Sequence, residues 1–189
     1  MLRKALLREK FTFFVIIPIL VMTNVLLLRQ NLHIRGMVFK DYSHLDVLQP
    51  GDQAVPFEAD LLDGGRIRVD FSPSREKRVL LYFSPRCRFS YEQFPYWRSL
   101  IEQGQSRGLK VLGMVSEHED PQQVREFLES MDAASLPVAL IPDRLYRHYK
   151  LLITPLTLTV DGQGRVEKNW VGRWGFRTMQ EAAQLLKLD

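Results

Sequence analysis

The sequence predicts an α/β fold in which helices flank a central mixed sheet, carried behind one N-terminal apolar span. Three observations support this. Phe11–Leu28 is an 18-residue run without a charged side chain. From Arg78 to Tyr149, strand-like apolar runs alternate with helix-spaced ones, the pattern of parallel strands with helices on both faces of a sheet. Beyond Pro155, two strand-like runs joined by Gly162-Gln163-Gly164 read as a hairpin, which adds antiparallel edges.

The first element is the span. MLRKALLREK forms a basic arm, and FTFFVIIPILVMTNVLLL follows it. At ~1.5 Å per residue this run covers roughly 27 Å, close to the ~30 Å hydrocarbon thickness of a bilayer. Pro18, Thr23 and Asn24 are tolerable within such a helix. Arg3, Lys4, Arg8 and Lys10 precede it, and the positive-inside tendency then keeps the N-terminus cytoplasmic. A cleaved signal needs a shorter apolar core of about 7–15 residues and an A-x-A-like site. The end of this run, TNVLLLRQN, lacks small residues at that spacing. The expected organisation is a cytoplasmic arm at 1–10, a single-pass inner-membrane anchor in contact with lipid at 11–28, a polar linker at 29–47, and one domain at 48–189. That domain faces the periplasm or an equivalent extracytoplasmic space, where thiol–disulfide chemistry is supported.

Within the domain, Phe57–Leu61 and Arg66–Phe71 are short strands around Asp63-Gly64-Gly65, a hairpin signal. Arg78–Ser84 (RVLLYFS) is almost continuously apolar, as suits a central strand covered on both faces. Arg88–Gln105 is helical, with Phe94, Trp97, Leu100 and Ile101 at helix spacing. Leu109–Ser116 is a second buried strand. Pro121 opens a helix to Met131 that places Val124, Phe127, Leu128 and Met131 on one face. Leu136–Ile141 is a strand and Asp143–Tyr149 a short helix. Pro155–Asp161 and Arg165–Val171 are the late hairpin, and Thr178–Leu186 is an amphipathic closing helix. Trp97, Trp170 and Trp174 read as core or domain-edge aromatics.

Composition narrows the function. The chain has 189 residues, 46% hydrophobic and 25% charged, enough to bury one core. Its net charge of +4 is unevenly placed: residues 1–41 hold seven Lys/Arg against Glu9 and Asp41, which is +5, so the remainder sums to −1. A near-neutral body argues against nucleic acid as a partner, since that requires a concentrated basic face. Cys87 is the only cysteine, so no intramolecular disulfide can form, and a thiolate-rich metal site is disfavoured. His33, His44, His118 and His148 are scattered without ligand spacing. Neither a metal nor a cofactor is expected.

Four stretches, in this order, carry a resemblance. They are GDQAVPFEADLLDGGRI, VLLYFSPRCRFSYEQFP, LKVLGMVSEHEDPQQVREFL and LPVALIPDRLYRHYKLLITPLTLTVDGQGRV. Together they resemble the membrane-anchored thioredoxin-like proteins of the TlpA/ResA type, over roughly Leu48 to Leu188. The resemblance implies a thioredoxin-like fold and thiol–disulfide oxidoreductase activity. It also implies departures from the family's W-C-x-x-C loop with its following Glu and Pro. Arg86 stands where Trp is usual, Cys87 matches the first cysteine, Ser90 replaces the second, Gln93 stands where Glu is frequent, and Pro95 matches the helix proline. Thr154-Pro155 resembles the family's cis-proline loop, which packs beside the active cysteine and receives an extended substrate segment.

In that fold Cys87 lies at the N-terminus of the helix beginning near Arg88. The helix dipole and its free N–H groups favour an anion there. The charges of Arg86 and Arg88 favour the thiolate, and the Ser90 hydroxyl, one turn on, can donate to the sulfur. A thiolate attacks a disulfide to form a mixed disulfide. Ser90 cannot resolve it, because oxygen forms no S–S bond. Resolution falls to an external thiol: a small molecule, the substrate's own second thiol, or a partner protein. The expected activity is therefore monothiol exchange or isomerisation on protein or small-molecule disulfides and thiols. Cys87 and Ser90 are the catalytic pair, Thr154, Pro155, Arg86 and Arg88 contact substrate, and Glu92 is a candidate proton shuttle. The alternative is a non-catalytic module that holds a client in the same groove around an inert thiol. A thiol peroxidase is less favoured: peroxiredoxins want a Thr or Ser three residues before the reactive cysteine, whereas Ser90 lies three after Cys87. By the resemblance, their cysteine would also fall nearer position 90. Copper delivery would need at least two sulfurs and a nearby His, and is set aside.

Overall fold

The computed structural model describes residues 14–31, 46–71, 76–106 and 108–186. The chain divides into two compact units, Met1–Leu45 and Asp46–Asp189. The basic arm and most of the predicted linker lie outside the described residues.

In the first unit, helix α1 (Phe14–Asn31) has a mean hydropathy of 1.6 and is long and apolar enough to cross a membrane. It continues past the predicted end at Leu28, because Arg29, Gln30 and Asn31 contain no helix breaker. Its two polar side chains are satisfied within the helix: Thr23 Oγ1 donates to the Ile19 carbonyl at 2.8 Å, and Asn24 Nδ2 to the Leu20 carbonyl at 2.9 Å. That back-bonding is how such residues are accommodated in an apolar helix.

The second unit contains seven strands and four helices: β1 (Phe57–Leu61), β2 (Arg66–Val69), β3 (Arg78–Tyr82), α2 (Arg88–Ser106), β4 (Lys110–Ser116), α3 (Pro121–Ser130), β5 (Val138–Ile141), α4 (Asp143–His148), β6 (Leu156–Val160), β7 (Val166–Val171) and α5 (Phe176–Leu186). Every predicted element is present. Several strands are shorter than expected: β2 stops before Asp70 and Phe71, and β3 stops before Phe83 and Ser84. Phe71 and Phe83 extend the apolar pattern past the ends of the two strands. α5 begins at Phe176, before the predicted Thr178.

One mixed sheet runs in the order β2-β1-β5-β4-β3-β6-β7. β3, β4 and β5 are parallel, joined by crossovers through α2 and α3. The late hairpin β6–β7 adds antiparallel pairing beside β3, as expected. The early hairpin β1–β2 pairs antiparallel to β5 at the opposite edge, a placement that turn signals alone do not encode. Because side chains alternate along a strand, β3 feeds two cores. Val79, Leu81 and Phe83 pack with Phe94, Trp97, Leu100, Val124, Phe127 and Leu186 on one face. Leu80 and Tyr82 pack with Phe57, Leu112, Met114, Leu145, Tyr149 and Leu158 on the other. Thr157 of β6 faces the first core, where Trp97 Nε1 donates to its hydroxyl at 2.9 Å.

The register of β3 against β6 pairs Tyr82 with Leu156. That places Thr154-Pro155, just before β6, beside the chain leaving β3 toward Cys87. The Thr154–Pro155 peptide is cis.

Candidate active site

The site is built from the end of β3 outward. Phe83 N–H donates to the Met114 carbonyl at 3.1 Å, and the chain then turns. Cys87 N–H donates to the Ser84 carbonyl at 3.1 Å, and Ser90 N–H to the Cys87 carbonyl at 2.9 Å, which winds the chain into α2. Cys87 is half-buried at the helix start, with Sγ 3.5 Å from the Thr154 carbonyl oxygen. Two stretches 67 residues apart in sequence thus meet at the sulfur.

Burial by itself raises the Cys87 thiol, but the donors around it prevail and hold it below its ordinary value. The Thr154 side chain is the strongest of them, followed by the Ser90 and Phe89 N–H groups and the Ser90 hydroxyl. Ser90 is 0% exposed, so it is not a surface helix serine. Its Oγ accepts the Ser84 N–H at 3.4 Å.

Both flanking arginines are engaged elsewhere. Arg86 Nη2 lies 3.1 Å from Oε2 of buried Glu119. Its own side chain is 72% exposed, and among the described residues that Oε2 has no aligned hydrogen bond, so the contact is an ion pair only. Arg88 Nε bonds Glu92 Oε1 at 2.9 Å, and Arg173 Nη1 lies 3.4 Å from Glu92 Oε2. The thiol is therefore lowered by hydrogen-bond donors, and the arginine charges expected to do this are matched to carboxylates. Glu92 ties the first turn of α2 to the loop before α5.

Two residues at the site, Ser84 and Glu119, escaped sequence reasoning, and a third, Gln93, was noted only as a departure from the family's Glu. Ser84 lies three positions before Cys87, and counting backward from the cysteine as well as forward would have found it. Glu119, in the loop after β4, reaches the site because β4 runs parallel to β3 and ends beside it. Gln93 is fully buried, and its Oε1 accepts the Trp174 N–H at 2.6 Å, locking the segment before α5 onto α2. Its signal was its position, six residues after Cys87.

A 480 Å³ cavity lies between β1 and α4, lined by Val55, Phe57, Arg144 and His148 among others, and includes no residue of the Cys87 loop. Phe89 and Leu152, large side chains near Cys87 and Thr154 in sequence, are 56% and 62% exposed. His118 is less isolated than its spacing suggested: it converges with Glu117 and Asp143 on the surface. Mutual contacts account for that grouping, with His118 Nε2 3.1 Å from Asp143 Oδ1 and the Asp143 N–H donating to Glu117 Oε1 at 3.2 Å.

Comparison with known proteins places this geometry. A candidate thiol:disulfide interchange protein DsbE from Chlorobium tepidum is 21% identical, with a TM-score of 0.61 over 75% of this chain and 98% of its own. The pneumococcal exposed lipoprotein thioredoxin Etrx1 of Streptococcus pneumoniae is 20% identical, with a TM-score of 0.58 over 70% of this chain and 98% of its own. StoA of Bacillus subtilis is 18% identical, with a TM-score of 0.54 over 71% and 96%. At these identities the likeness shows the fold, which is thioredoxin-like. No curated protein matches the chain. The AhpC/TSA family matches residues 50–169, a stretch that runs from before β1 into β7 and contains Cys87, Ser90 and the cis Thr154–Pro155 peptide; the chain belongs to the AhpC/TSA family.

Proposed function

We propose that this protein is a membrane-tethered extracytoplasmic thiol–disulfide exchange protein that works through Cys87 alone, in a C-x-x-S loop. The observation that carries the reading is the sulfur itself: half-exposed at the start of α2, against Thr154, with its thiol lowered by surrounding donors. The Cys87 thiolate attacks one sulfur of a client disulfide. A Cys87–client S–S bond forms, the client S–S bond breaks, and the departing client thiolate takes a proton from water. A second thiolate, supplied by the client or by an external thiol, then attacks the mixed disulfide and returns Cys87 as thiolate. No electrons are gained or lost by the chain over the cycle, so the activity is exchange or isomerisation.

An extended client segment laid along Thr154-Pro155 would bring its disulfide to Cys87. Exposed Phe89 and Leu152 offer apolar contact, and the Arg86 and Arg88 side chains lie at the solvent rim. Pairing to two arginines favours an anchoring role for Glu92 over proton transfer. Tethering is supported by the apolar α1 and the basic residues preceding it.

A second reading, thiol peroxidase, is favoured by the AhpC/TSA match and by Ser84 at the position where such enzymes want a hydroxyl. Against it, the Ser84 hydroxyl donates to Glu119 at 2.7 Å and the Arg86 guanidinium pairs with the same carboxylate, so neither is free to hold a peroxide at the sulfur.

The test uses the full chain in detergent, where the single cysteine makes labelling specific. Alkylation rate is followed against pH, and mass is measured after exposure to oxidised glutathione or to hydrogen peroxide. Labelling with a midpoint below that of a free thiol, with a rapid glutathione adduct, supports exchange. Rapid sulfenate formation without adduct transfers the assignment to peroxidase. Slow labelling that needs denaturant would sink both and leave a binding module.

A further inference from the structure

A buried carboxylate that no reacting atom touches faces the Cys87 loop from another element. Glu119 is 7% exposed and lies between β4 and α3. Burying a carboxylate is unfavourable unless hydrogen bonds and a counter-ion compensate. Here one oxygen accepts the Ser84 hydroxyl at 2.7 Å and the other pairs with Arg86. If Glu119 served only as counter-ion to Arg86, a mostly solvated guanidinium, its burial and its bond to Ser84 would be unexplained.

We infer that Glu119 and Ser84 are positioning residues that fix the turn between β3 and α2, and with it the place of the Cys87 sulfur among the donors at the start of α2. This rests on the reading that Cys87 is the reacting thiol. The charged hydrogen bond to Glu119 sets the Ser84 hydroxyl hydrogen, leaving its oxygen to accept the Arg86 N–H at 3.2 Å. Ser84, just past the end of β3, is thereby held through its side chain. Its backbone then acts in two directions: its carbonyl takes the Cys87 N–H at 3.1 Å, and its N–H donates to Ser90 Oγ at 3.4 Å.

A serine hydroxyl has one hydrogen and two acceptor sites. The Ser84 N–H fills one acceptor site of Ser90, so Ser84 holds the Ser90 side chain as well as the Cys87 N–H. The other charged or titratable groups around the loop are Arg86, Arg88, Glu92, Arg173 and Tyr82, and none of them is among the groups acting on the thiol. Glu119 works at one remove, through Ser84, whose carbonyl holds the Cys87 N–H.

The test is the pH profile of Cys87 alkylation in the full chain, with Glu119→Ala, Glu119→Gln, Ser84→Ala and the Glu119→Ala/Ser84→Ala double variant, each checked by thermal unfolding. Glu119→Ala and Ser84→Ala should move the midpoint upward and slow labelling about twofold below it, because a looser turn holds the sulfur less well against its donors. Glu119→Gln keeps an oxygen for Ser84 and should recover most of the wild-type profile. The double variant should shift no further than the larger single one, because both changes cut one chain of contacts. Lower melting temperatures with unmoved midpoints would overturn the inference and leave Glu119 a structural residue. Additive shifts would overturn it too. Should Glu119→Ala fail to fold, Ser84→Ala and Glu119→Gln decide the matter alone. A wild-type midpoint at the free-thiol value would bring down the exchange reading itself, whereas a low wild-type midpoint with unmoved variants removes only this inference.

Discussion

Replacing Ser90 by Ala isolates one donor to the sulfur. The side chain is fully buried, so the change leaves a small void and removes the hydroxyl, while the Thr154 side chain and the Phe89 and Ser90 N–H groups stay in place. A hydrogen bond to a charged group is worth about 1.5–3 kcal/mol. The sulfur is half-exposed and three donors remain, so we discount this to about 1 kcal/mol, a factor of about 5 in thiolate population below the midpoint. The alkylation rate should fall less, by about 2-fold, because a thiolate of higher pKa is intrinsically more nucleophilic. The signature is therefore an upward shift in midpoint larger than the loss of rate. Stability should move with it. Cys87 is held below its unfolded value of about 9.0, so its contribution is complete above that value and disappears as pH falls through the lower folded one. Wild type should thus gain unfolding free energy as pH rises across that window, and Ser90→Ala should gain less. Absorbance of the thiolate near 240 nm and denaturant unfolding at several pH values measure both. An unmoved midpoint in a folded Ser90→Ala protein would refute the reasoning.

Two further predictions concern the scaffold. Thr157→Val keeps the volume of a fully buried side chain but leaves Trp97 Nε1 without its 2.9 Å acceptor, so it should lower the unfolding free energy by about 1–3 kcal/mol in denaturant titration, with tryptophan fluorescence reporting the change. The Glu181 carboxyl is held below its ordinary value by Lys168 Nζ at 2.6 Å and then by Trp170 Nε1 at 3.1 Å. Its stabilisation is present above the unfolded value of about 4.5 and is lost as pH falls through the folded one, so Lys168→Met should lower the melting temperature near pH 6 and converge with wild type in acid. The pair is largely exposed, so the difference should stay under about 1 kcal/mol.

The fold was legible because its elements are local statements. RVLLYFS declares a doubly covered strand, and β3 lies inside the sheet between β4 and β6. Asp63-Gly64-Gly65 declares a turn, and Gly64 and Gly65 both take positive φ there, at 88° and 83°. The edge that the early hairpin joins was not legible, since that depends on which strand has free ladder groups after the core assembles. The same division runs through the site. Cys87 and Ser90 could be paired from a spacing of three. The meeting of Cys87 with Thr154 followed from resemblance and not from any local pattern. The arginines misled because adjacency in sequence fixes where a charge starts, not where a long side chain ends: Glu119, 33 residues beyond Arg86, draws its guanidinium to itself.

The C-x-x-S loop also bears on what kind of exchange is open to the chain. Ser90 is buried and accepts an N–H, and on the proposed reading it would fill the place of a second cysteine with a group that supports the first. It removes one route only. A C-x-x-C loop can expel its client by closing an internal disulfide, and this loop cannot, because the chain holds no other sulfur able to form one. Every disulfide form of the protein is then joined covalently to something else. The lifetime of that species is set by how readily an incoming thiolate reaches Cys87 and how readily the sulfur leaves. A lowered Cys87 thiol makes it the better leaving group, so the donors that activate it for attack also hasten its release. On the proposed exchange cycle Ser90 would act in both halves, and its replacement should prolong the mixed disulfide as well as slow its formation.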